Sequence, residues 1–277
     1  MKRFAQRVAV VTGAGSGLGR ALAQRFAAAG MHLALADVDE AGLAQTAAAL
    51  AGAEVITQRT DVAKRADVEA LAARTLDAFG AVHVVCNNAG VAPLGRVWEN
   101  TETDWQWTLG VNLWGVIHGV SVFTPILLGQ DDEGHVVNTA SVAGLISPPG
   151  MGMYNVSKHA VVALTETLHH DLAAANAKVR CSVVCPAFFP SGIADSERTR
   201  PAALASGREK TADDRAREAN MKKAVDSGRL TAADVAEAVF DAVRDERFYV
   251  LTHPRILPAV ESRMRDILEG RTPRSPV

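Results

Sequence analysis

Short runs of apolar and β-branched residues alternate with longer amphipathic segments along most of this chain. The short runs predict seven β-strands, at residues 8–12, 32–36, 54–59, 82–87, 134–139, 178–184 and 248–251. Between two of them, apolar residues recur at helical spacing, at Val68, Leu71, Ala72, Thr75, Leu76 and Phe79. Strands that alternate with helices predict an α/β fold with a parallel sheet and helices on both faces.

Two further predicted helices, at residues 105–128 and 154–175, are long and rich in apolar residues. Together they carry more apolar surface than one face of a sheet can cover. We therefore predict a helical interface between subunits, in a homodimer or homotetramer. Trp105, Trp107 and Trp114 lie in the first of these helices and are interpreted as core or interface residues rather than substrate contacts.

The composition changes after Ser191. Residues 195–229 are densely charged in both signs and poor in apolar residues, and Thr231 with Asp234 then forms the capping pattern of a new amphipathic helix. An insertion at residues 192–229 would lie over the carboxyl ends of the strands, where such sheets bind ligands. It is interpreted as a mobile substrate lid with few apolar anchors. The alternative is a solvated surface insertion.

A length of 277 residues suits one α/β domain, and we predict a single catalytic domain over residues 1–277. Residues 253–277 extend the usual core at the C-terminus. Within this extension, residues 271–277 predict a frayed tail.

Charge and cysteine content narrow the class of protein. A net charge of −2 and a pI near 6.5 give no electrostatic reason to expect nucleic-acid binding. No apolar run approaching ~20 residues is recognised, so neither a signal peptide nor a membrane span is predicted. The three cysteines, Cys86, Cys181 and Cys185, lie in or beside apolar strand patterns, which predicts buried free thiols and a cytoplasmic protein. The sequence shows no metal-ligand spacing, and no metal is predicted.

A glycine-rich loop follows the first predicted strand directly and leads into a helical pattern. It contains Gly13, Ser16, Gly17, Leu18 and Gly19. Glycines let the backbone approach phosphate groups, and free amides at a helix start attract negative charge. Strand, loop and helix in this order predict a binding site for the pyrophosphate of a dinucleotide.

Asp37 ends the second predicted strand, 18 residues after Gly19. A carboxylate there can accept hydrogen bonds from the ribose hydroxyls of NAD and would repel the 2′-phosphate of NADP. No Lys or Arg follows within residues 38–40, and Ser16 stands where an arginine could have met that phosphate. NAD is therefore the predicted cofactor. The alternative is that Asp37 is an ordinary turn or helix-capping residue.

Tyr154 and Lys158 lie four residues apart, and Ser141 lies 13 residues before Tyr154. Positions four apart share one face of a helix, so the ammonium can lie beside the phenol. A phenol with its usual pKa of ~10 is a poor base at neutral pH, and a nearby positive charge lowers that pKa. The three residues predict a proton-transfer site in which Ser141 holds the substrate oxygen. The alternative, for the Tyr–Lys spacing alone, is a solvated helix face.

These motifs resemble the short-chain dehydrogenase/reductase family in its single-domain, NAD(P)-dependent branch. The matching segments are TGAGSGLG at residues 12–19, NNAG at residues 87–90 and YNVSK at residues 154–158, with Asn112 and Ser141 between the last two. The likeness covers about residues 5–252. It implies a Rossmann-like, doubly wound, seven-stranded sheet, NAD(P) as the hydride carrier, and catalysis by Asn112, Ser141, Tyr154 and Lys158.

The resemblance also assigns roles in cofactor binding. Asp61 and Val62 match the pair that contacts adenine, and Asn88 matches an asparagine near the adenosine ribose. The expected cofactor contacts are completed by Gly90, Tyr154, Lys158, Pro186, Phe189 and Ser191. Asn112 is expected to help hold a water that links Lys158 to bulk solvent.

One segment departs from the family pattern, at residues 186–191. The family usually has Pro-Gly followed by a threonine that contacts the cofactor. Here Ala187 replaces the glycine, Ser191 takes the place of the threonine, and Pro190 stiffens the segment. An alanine keeps the backbone contacts only if its φ is negative, so the geometry of this loop is open.

The sequence thus predicts an NAD-dependent oxidoreductase that interconverts a secondary alcohol and a ketone. The substrate is expected to contact Ser141, Tyr154, Leu145, Met151 and Phe188, with Val91 and Phe189 nearby. These apolar residues favour a hydrophobic or aryl substrate. The alternative function is a nucleotide-binding redox sensor or scaffold without significant turnover.

Overall fold

The computed structural model describes residues 1–50 and 52–276. Within these residues seven strands form one sheet: β1 (Val8–Thr12), β2 (His32–Asp37), β3 (Val55–Arg59), β4 (Val84–Asn87), β5 (Gly134–Thr139), β6 (Val179–Val184) and β7 (Tyr249–Val250). All neighbouring strands are parallel, in the order β3-β2-β1-β4-β5-β6-β7. The strand order reverses direction between β1 and β4, as in a doubly wound Rossmann-like sheet. The predicted fold class is confirmed.

Two strands are shorter than predicted, for identifiable reasons. β4 begins at Val84 rather than at Val82, because the side chain of Gln130 satisfies the backbone N–H and C=O of Val82 in place of a neighbouring strand. β7 keeps only Tyr249 and Val250, and it forms an edge of the sheet with one partner strand. The other predicted strands agree to within one residue.

Nine α-helices lie in the described ranges: α1 (Gly17–Ala28), α2 (Glu40–Ala48), α3 (Arg65–Phe79), α4 (Glu102–Leu109), α5 (Gly115–Gly129), α6 (Gly152–Ala174), α7 (Ala212–Asp226), α8 (Ala232–Asp245) and α9 (Leu257–Leu268). On one face of the sheet, α1 and α8 pack through buried residues that include Phe26 and Val239. On the other face, α3, α5 and α6 contribute Leu71, Phe123 and Leu168 to a second buried cluster. The sheet therefore has an apolar layer on each side.

The predicted helix at residues 105–128 belongs to a longer helical stretch, Glu102–Gly129. A capping box of Thr101 and Asp104 starts α4, and a π-helical segment, Gly110–Trp114, joins it to α5. By length and composition alone this stretch could cross a membrane, with a mean hydropathy of 1.6 in its 18-residue window. The expectation that no such run exists is therefore corrected. Phe123 and Leu127 pack it against the sheet, as in the core helix of a globular protein.

Residues 192–229, interpreted as a lid, contain two 3₁₀ segments, Gly192–Thr199 and Ala202–Leu204, and the helix α7. The few apolar anchors that were expected include two in α7. Met221 and Val225 of α7 are buried in a small cluster with Ala92, against which Tyr154 also packs. These two side chains fix α7 to the body of the protein.

A buried ion pair ties the same segment to α4. Arg200 lies 3.0 Å from Asp104, and both side chains are less than a tenth exposed. The Arg200 guanidinium also stacks over the ring of Trp107, 4.1 Å from its centroid. Buried pairs of this kind are costly to break, because one partner is left as an uncompensated charge. After the segment, Thr231 and Asp234 form the predicted capping box of α8.

The C-terminal residues are more ordered than the predicted frayed tail. Asp266 of α9 is buried and accepts hydrogen bonds from the side chain of Arg274, and Arg271 pairs with the same carboxylate at 3.1 Å. These contacts hold residues 271–274 against α9. Val277 of the predicted tail lies outside the described residues.

The prediction of buried free thiols is confirmed. Cys86, Cys181 and Cys185 are all buried and unpaired with one another. Burial raises the pKa of Cys181 and of Cys185 to about 12, and raises that of Cys86 further above its ordinary value. The three thiols therefore stay protonated and act as small apolar residues.

Two buried histidines must be neutral in the folded protein. His83 Nδ1 accepts a hydrogen bond from the Val8 N–H at 3.0 Å. His135 lies 2.7 Å from Ser182 Oγ, and its Nδ1 has no partner among the described residues. Burial lowers the pKa of His83 to about 4 and that of His135 to about 3. Protonation of His83 would destroy its hydrogen bond with the Val8 N–H. Protonation of His135 would leave a buried N–H without an acceptor.

We expect the free energy of unfolding to fall as the pH drops from 7 to 5. An unfolded histidine binds a proton below pH ~6.5, whereas these two do not until the pH is far lower in the folded state, so acid favours unfolding. Each should contribute about 2 kcal/mol over this interval. Urea denaturation at both pH values would measure it. In the double variant His83→Asn, His135→Gln, most of the histidine contribution to this fall in the free energy of unfolding should disappear. An unchanged pH dependence would contradict the assignment.

Candidate active site

A cavity of about 890 Å³ opens along the carboxyl ends of the strands. The glycine-rich loop after β1 and Asp37 at the end of β2 line it, as do Ser141 after β5 and Tyr154 on α6. Because β2 and β5 are three strand positions apart, the end of β2 with Asp37 and the end of β5 with Ser141 are separated by about 14 Å across the sheet. The remaining wall is largely apolar, formed by Val91, Trp107, Val111, Ile146, Met151, Phe188, Ile193, Leu204, Met221, Val225 and Ile256.

The glycine-rich loop is packed so closely that larger residues would not fit. A Cβ atom on Gly19 would lie 2.0 Å from the carbonyl oxygen of Gly13. Gly13 itself has a φ of +68°, which favours glycine. The N-cap residue of α1, Ser16, makes no side-chain hydrogen bond to the helix start. The first amides of α1 are therefore available to an anion, and Gly17 and Leu18 line the cavity beside them.

Asp37 serves the loop as well as the cavity. Its carboxylate accepts hydrogen bonds from the Gly15 N–H at 2.8 Å and the Asp39 N–H at 3.0 Å. It is Asp39, not Asp37, that caps α2, through the Gly42 N–H. Asp37 thus has the turn role weighed as the alternative and also lines the cavity, where its remaining lone pairs can meet a ligand.

The residues expected near adenosine are held by neighbouring elements. The carbonyl oxygen of Val62 lies 2.9 Å from His118 Nδ1 on α5, and Val62 and Asp61 line the cavity. The Asn88 side chain donates to the Thr12 carbonyl at 3.0 Å and so links the loop after β4 to the end of β1. The structure therefore brings Asp61, Val62 and Asn88 to the same edge of the sheet as Asp37.

Ser141, Tyr154 and Lys158 converge at the other part of the cavity. The Tyr154 phenol lies close enough to the Ser141 hydroxyl for the serine to affect the pKa of the phenol. Ser141 Oγ itself donates to the Pro186 carbonyl at 3.3 Å. Lys158 is buried, its Nζ donates to the Thr139 carbonyl at 2.8 Å, and it lies 5.6 Å from the centre of the Tyr154 ring. Gly144 makes this convergence possible, because a Cβ there would lie 2.6 Å from the Lys158 carbonyl oxygen. The loop after β5 can thus rest directly on α6.

Asn112 lies in the π-helical segment between α4 and α5. Its side chain accepts from the Val91 N–H at 2.8 Å and donates to the Val91 carbonyl and to Ser157 Oγ. It does not line the cavity, but a Cβ on Gly90 would lie 3.5 Å from Asn112 Oδ1 and 3.6 Å from Lys158 Nζ. The asparagine and the lysine thus face the same glycine.

The protein alone does not lower the pKa of Tyr154. Burial raises the pKa of the phenol, and the nearby Ser141 hydroxyl opposes that effect. Burial also lowers the pKa of Lys158 to about 8, which weakens its hold on a positive charge.

Comparison with known proteins decides the family. The family model for short chain dehydrogenases matches residues 7–202, most of the chain. This protein belongs to the short-chain dehydrogenase family. The resemblance inferred from its motifs is confirmed.

One solved structure and two curated dehydrogenases are similar to it over most of their length. A solved structure of a short chain dehydrogenase/reductase from Burkholderia phymatum in complex with NAD is 56% identical, with a TM-score of 0.98 over 100% of this chain and 99% of that one. A CLA biosynthesis dehydrogenase/reductase of Lactiplantibacillus plantarum is 34% identical over 99% of this chain and 97% of its own length. A 1-deoxy-11-beta-hydroxypentalenate dehydrogenase of Streptomyces exfoliatus is 35% identical over 89% of this chain and 83% of its own length.

In this short-chain dehydrogenase, residues 186–191 depart from the family pattern, and hydrogen bonds hold the start of this segment in place. Ala187 is not among the described residues with positive φ, so the alanine fits the backbone without strain. Its N–H donates to His253 Nδ1 at 3.1 Å, and the Pro186 carbonyl accepts from the Val142 N–H at 3.0 Å. Pro186, Phe188, Phe189 and Ser191 all line the cavity. The loop is held by the C-terminal extension.

Most predicted substrate contacts of this short-chain dehydrogenase reach the cavity, with one exception. Met151, Phe188 and Val91 line it. Leu145 does not, because its side chain packs against a buried cluster under α6, and Ala143 and Ile146 line the cavity instead. That prediction is corrected.

Sequence reasoning missed the cavity-lining residues of the lid. Ile193, Met221 and Val225 line the cavity. The sequence did contain one indication that these residues line the cavity. They are apolar residues in an insertion that follows β6, over the carboxyl edge of the sheet. Trp107 was interpreted as a core or interface residue, and it is both buried and part of the cavity wall.

Proposed function

We propose that this protein is an NAD-dependent oxidoreductase that interconverts a secondary alcohol and a ketone. The observation that carries the proposal is one continuous cavity that joins Asp37 and the glycine-rich loop to Ser141, Tyr154 and Lys158. The NAD bound in the 56% identical Burkholderia phymatum structure supports the cofactor. When bound, the oxidised cofactor supplies a hydride acceptor and a positively charged ring.

The residues that would hold the cofactor fit its parts in order. The free amides at the start of α1, beside Gly13, Ser16, Gly17, Leu18 and Gly19, would bind the pyrophosphate. Asp37 would accept hydrogen bonds from the adenosine ribose, with Asp61, Val62 and Asn88 beside the adenine. Gly90, Pro186, Phe189 and Ser191 would border the nicotinamide half, and Lys158 would reach its ribose.

Tyr154 would carry the proton of the alcohol. Its phenol lines the cavity beside Ser141, so a substrate hydroxyl bound between the two meets a positioned acid/base. Ser141 would then hold the same oxygen from its other side. A phenol with a raised pKa keeps its proton at neutral pH, and ketone reduction needs this protonated form. Alcohol oxidation needs the phenolate and therefore a positive charge nearby.

Lys158 and Asn112 would connect this proton to solvent. Both side chains face Gly90, so a water beside that glycine would be positioned to meet Lys158 Nζ and Asn112 Oδ1 together. A lysine with a pKa of about 8 exchanges its proton near neutral pH, which suits a relay. Asn112 is fixed in place by Val91 and Ser157 and would position that water.

The substrate would be hydrophobic or aryl. Trp107, Ile146, Met151, Phe188 and Met221 give the wall beside Tyr154 an apolar character. The nearby arginine, Arg200, has its donors occupied by Glu197, Asp104 and the Leu204 carbonyl. It is therefore not free to bind a substrate carboxylate.

A spectrophotometric screen tests the proposed function. Purified protein would be incubated with NAD or NADP and a panel of aliphatic, alicyclic and aryl secondary alcohols, and absorbance of the reduced nicotinamide would be followed. The reverse reaction would be run with the matching ketones. Turnover with apolar members of the panel supports the proposal. Tight NAD binding with no turnover of any member would instead favour a nucleotide-binding sensor or scaffold.

Subunit association and location complete the proposal. Trp114, Leu128 and Val156 are 52%, 42% and 50% exposed, and they lie on the π-helical segment, α5 and α6. Apolar exposure on these helices supports a homodimer or homotetramer, which light scattering after gel filtration would distinguish from a monomer. The buried free thiols suit a reducing compartment, and we assign the protein to the cytoplasm, which cell fractionation can test.

Removal of the Asp37 charge should shift cofactor preference towards NADP. The carboxylate would lie beside the 2′-phosphate, and like charges in a partly buried site repel. Asp37→Asn keeps a side-chain oxygen for the Gly15 N–H, so the loop should survive. We expect the ratio of kcat/KM for NADP to that for NAD to rise by about 10- to 100-fold.

The matched control is Asp131→Asn, which removes an exposed carboxylate at a turn remote from the cavity. It should leave the ratio unchanged. Equal kcat/KM for both cofactors in the unmodified protein would show that Asp37 does not select between them.

A further inference from the structure

The lid begins directly above the glycine-rich loop. A Cβ on Gly17 would lie 3.3 Å from the Cβ of Ser191, and a Cβ on Gly192 would lie 3.7 Å from Ser16 Oγ. The 3₁₀ segment Gly192–Thr199 therefore covers the start of α1. This is the point at which free helix amides face the cavity.

Arg198 folds back over the same point. Its two Nη atoms would lie 3.6 and 3.8 Å from a Cβ on Gly192, and the residue lines the cavity. Nη1 donates to the carbonyls of Gly192 and Asp195 at 3.4 and 3.2 Å. In the described part of the chain, no hydrogen bond is made by Nε or Nη2, and the nearest carboxylate, Asp39, is 4.0 Å away. The guanidinium thus has donors to spare and is 45% exposed.

The other charged groups at this part of the cavity include few cations that are free to bind an anion. Asp37, Asp39 and Asp61 contribute negative charge, and Arg59 at the end of β3 contributes a positive charge beside Asp37, on the side expected for adenosine. Lys64 is paired with Asp61 at 3.5 Å. Arg20 on α1 is turned away, because its guanidinium donates to the Gly15 carbonyl and to Thr46 behind the loop. Arg198 is the cation placed between the start of the lid and the glycine-rich loop.

We propose that Arg198 binds the pyrophosphate of the dinucleotide from above, opposite the amides of α1, and thereby couples closure of the lid to occupancy of the cofactor site. This inference rests on the proposed function. The pyrophosphate carries two negative charges, and a guanidinium with free donors in a fork geometry suits phosphate oxygens. The ligand class is a dinucleotide or a shorter nucleoside diphosphate that reaches the same amides.

The adenosine 2′-phosphate of NADP is a less suitable partner for Arg198. That phosphate would lie beside Asp37, and Asp39 is already within 4.0 Å of the guanidinium. The two carboxylates would repel it more than one shared arginine could attract it. A pyrophosphate over the helix start meets the arginine and the amides without a carboxylate between them.

The test compares Arg198→Gln with the unmodified full-length protein by calorimetric titration of NAD, ADP-ribose, NADP and adenosine. We expect the Kd of NAD and of ADP-ribose to rise by about tenfold, and the Kd of adenosine, which lacks phosphate, to stay within about twofold. Arg198→Lys should recover part of the loss. Arg215→Gln, an exposed arginine of α7 that does not line the cavity, is the matched control and should change nothing.

Hydrogen exchange supplies a second measurement that does not depend on turnover. NAD should slow amide exchange in residues 192–199 of the unmodified protein, and this protection should be lost in Arg198→Gln even at saturating NAD. Unchanged Kd values for NAD and ADP-ribose would overturn the inference, as would an equal loss for adenosine. A loss confined to NADP would assign Arg198 to the 2′-phosphate instead. If the unmodified protein binds no dinucleotide at all, the proposed function itself fails.

Discussion

Tyr154→Phe should lower kcat by about 1,000-fold or more while the Kd of NAD stays within about threefold. The variant removes one hydroxyl, the atom that would exchange a proton with the substrate, and keeps the ring that packs beside Met221 and Val225. Only the group that moves the proton is lost. Steady-state kinetics with the best alcohol from the screen, together with a titration of NAD, would measure both quantities.

The chain contains its own control, because Tyr249 is its only other tyrosine. The Tyr249 hydroxyl lies at the surface and donates to Glu166 at 2.6 Å, remote from the cavity. Tyr249→Phe should therefore keep nearly full activity. Turnover of Tyr154→Phe at a rate close to that of the unmodified protein would end the proposed mechanism.

Lys158→Ala should reduce kcat/KM by about 100- to 1,000-fold and weaken NAD binding by about tenfold. The ammonium would serve both the proton relay and the ribose, so turnover and affinity should fall together. The variant also strips the Thr139 carbonyl of a donor at 2.8 Å in a buried place. Lys158→Met, which fills the same space, separates that packing loss from the loss of charge and should be equally inactive.

Lys178→Ala provides the comparison for Lys158. Lys178 is exposed, and its ammonium is paired with Asp131 at 3.0 Å on a different edge of the protein. It should leave both kinetic constants unchanged. A Lys158→Met enzyme that retains NAD affinity and loses only turnover would show that the lysine does not reach the cofactor.

Local rules predicted the centre of the sheet because β1, β2 and β4 are buried along most of their length and so read as largely apolar runs. Val8–Thr12 and Gly134–Thr139 have the predicted ends, since glycine or charged neighbours mark them. The predicted start of β4 was wrong because Gln130, 48 residues away, binds the backbone of Val82. No local pattern could have shown that contact.

The sequence could predict the parts of the candidate site whose geometry follows from the spacing of residues along a helix. It could not predict the parts that depend on how separate elements pack together. Tyr154 and Lys158 share a helix face by their separation alone. Leu145 and Ile146 are adjacent apolar residues, and which of them faces the cavity depends on how the loop after β5 rests on α6. Arg198 and Ser16 both lie next to Gly192 although they are far apart in sequence, because the path of residues 192–199 brings them there and no local pattern states that path.

The ion pair of Arg200 and Asp104 constrains how the substrate pocket can be exchanged between related proteins. One partner belongs to the lid and the other to α4, and neither is exposed enough to tolerate the loss of its counterpart. A lid grafted from a relative would have to bring a residue compatible with Asp104, or carry the first turn of α4 with it. We therefore expect residues 192–229 and the first turn of α4 to be exchangeable only as one unit.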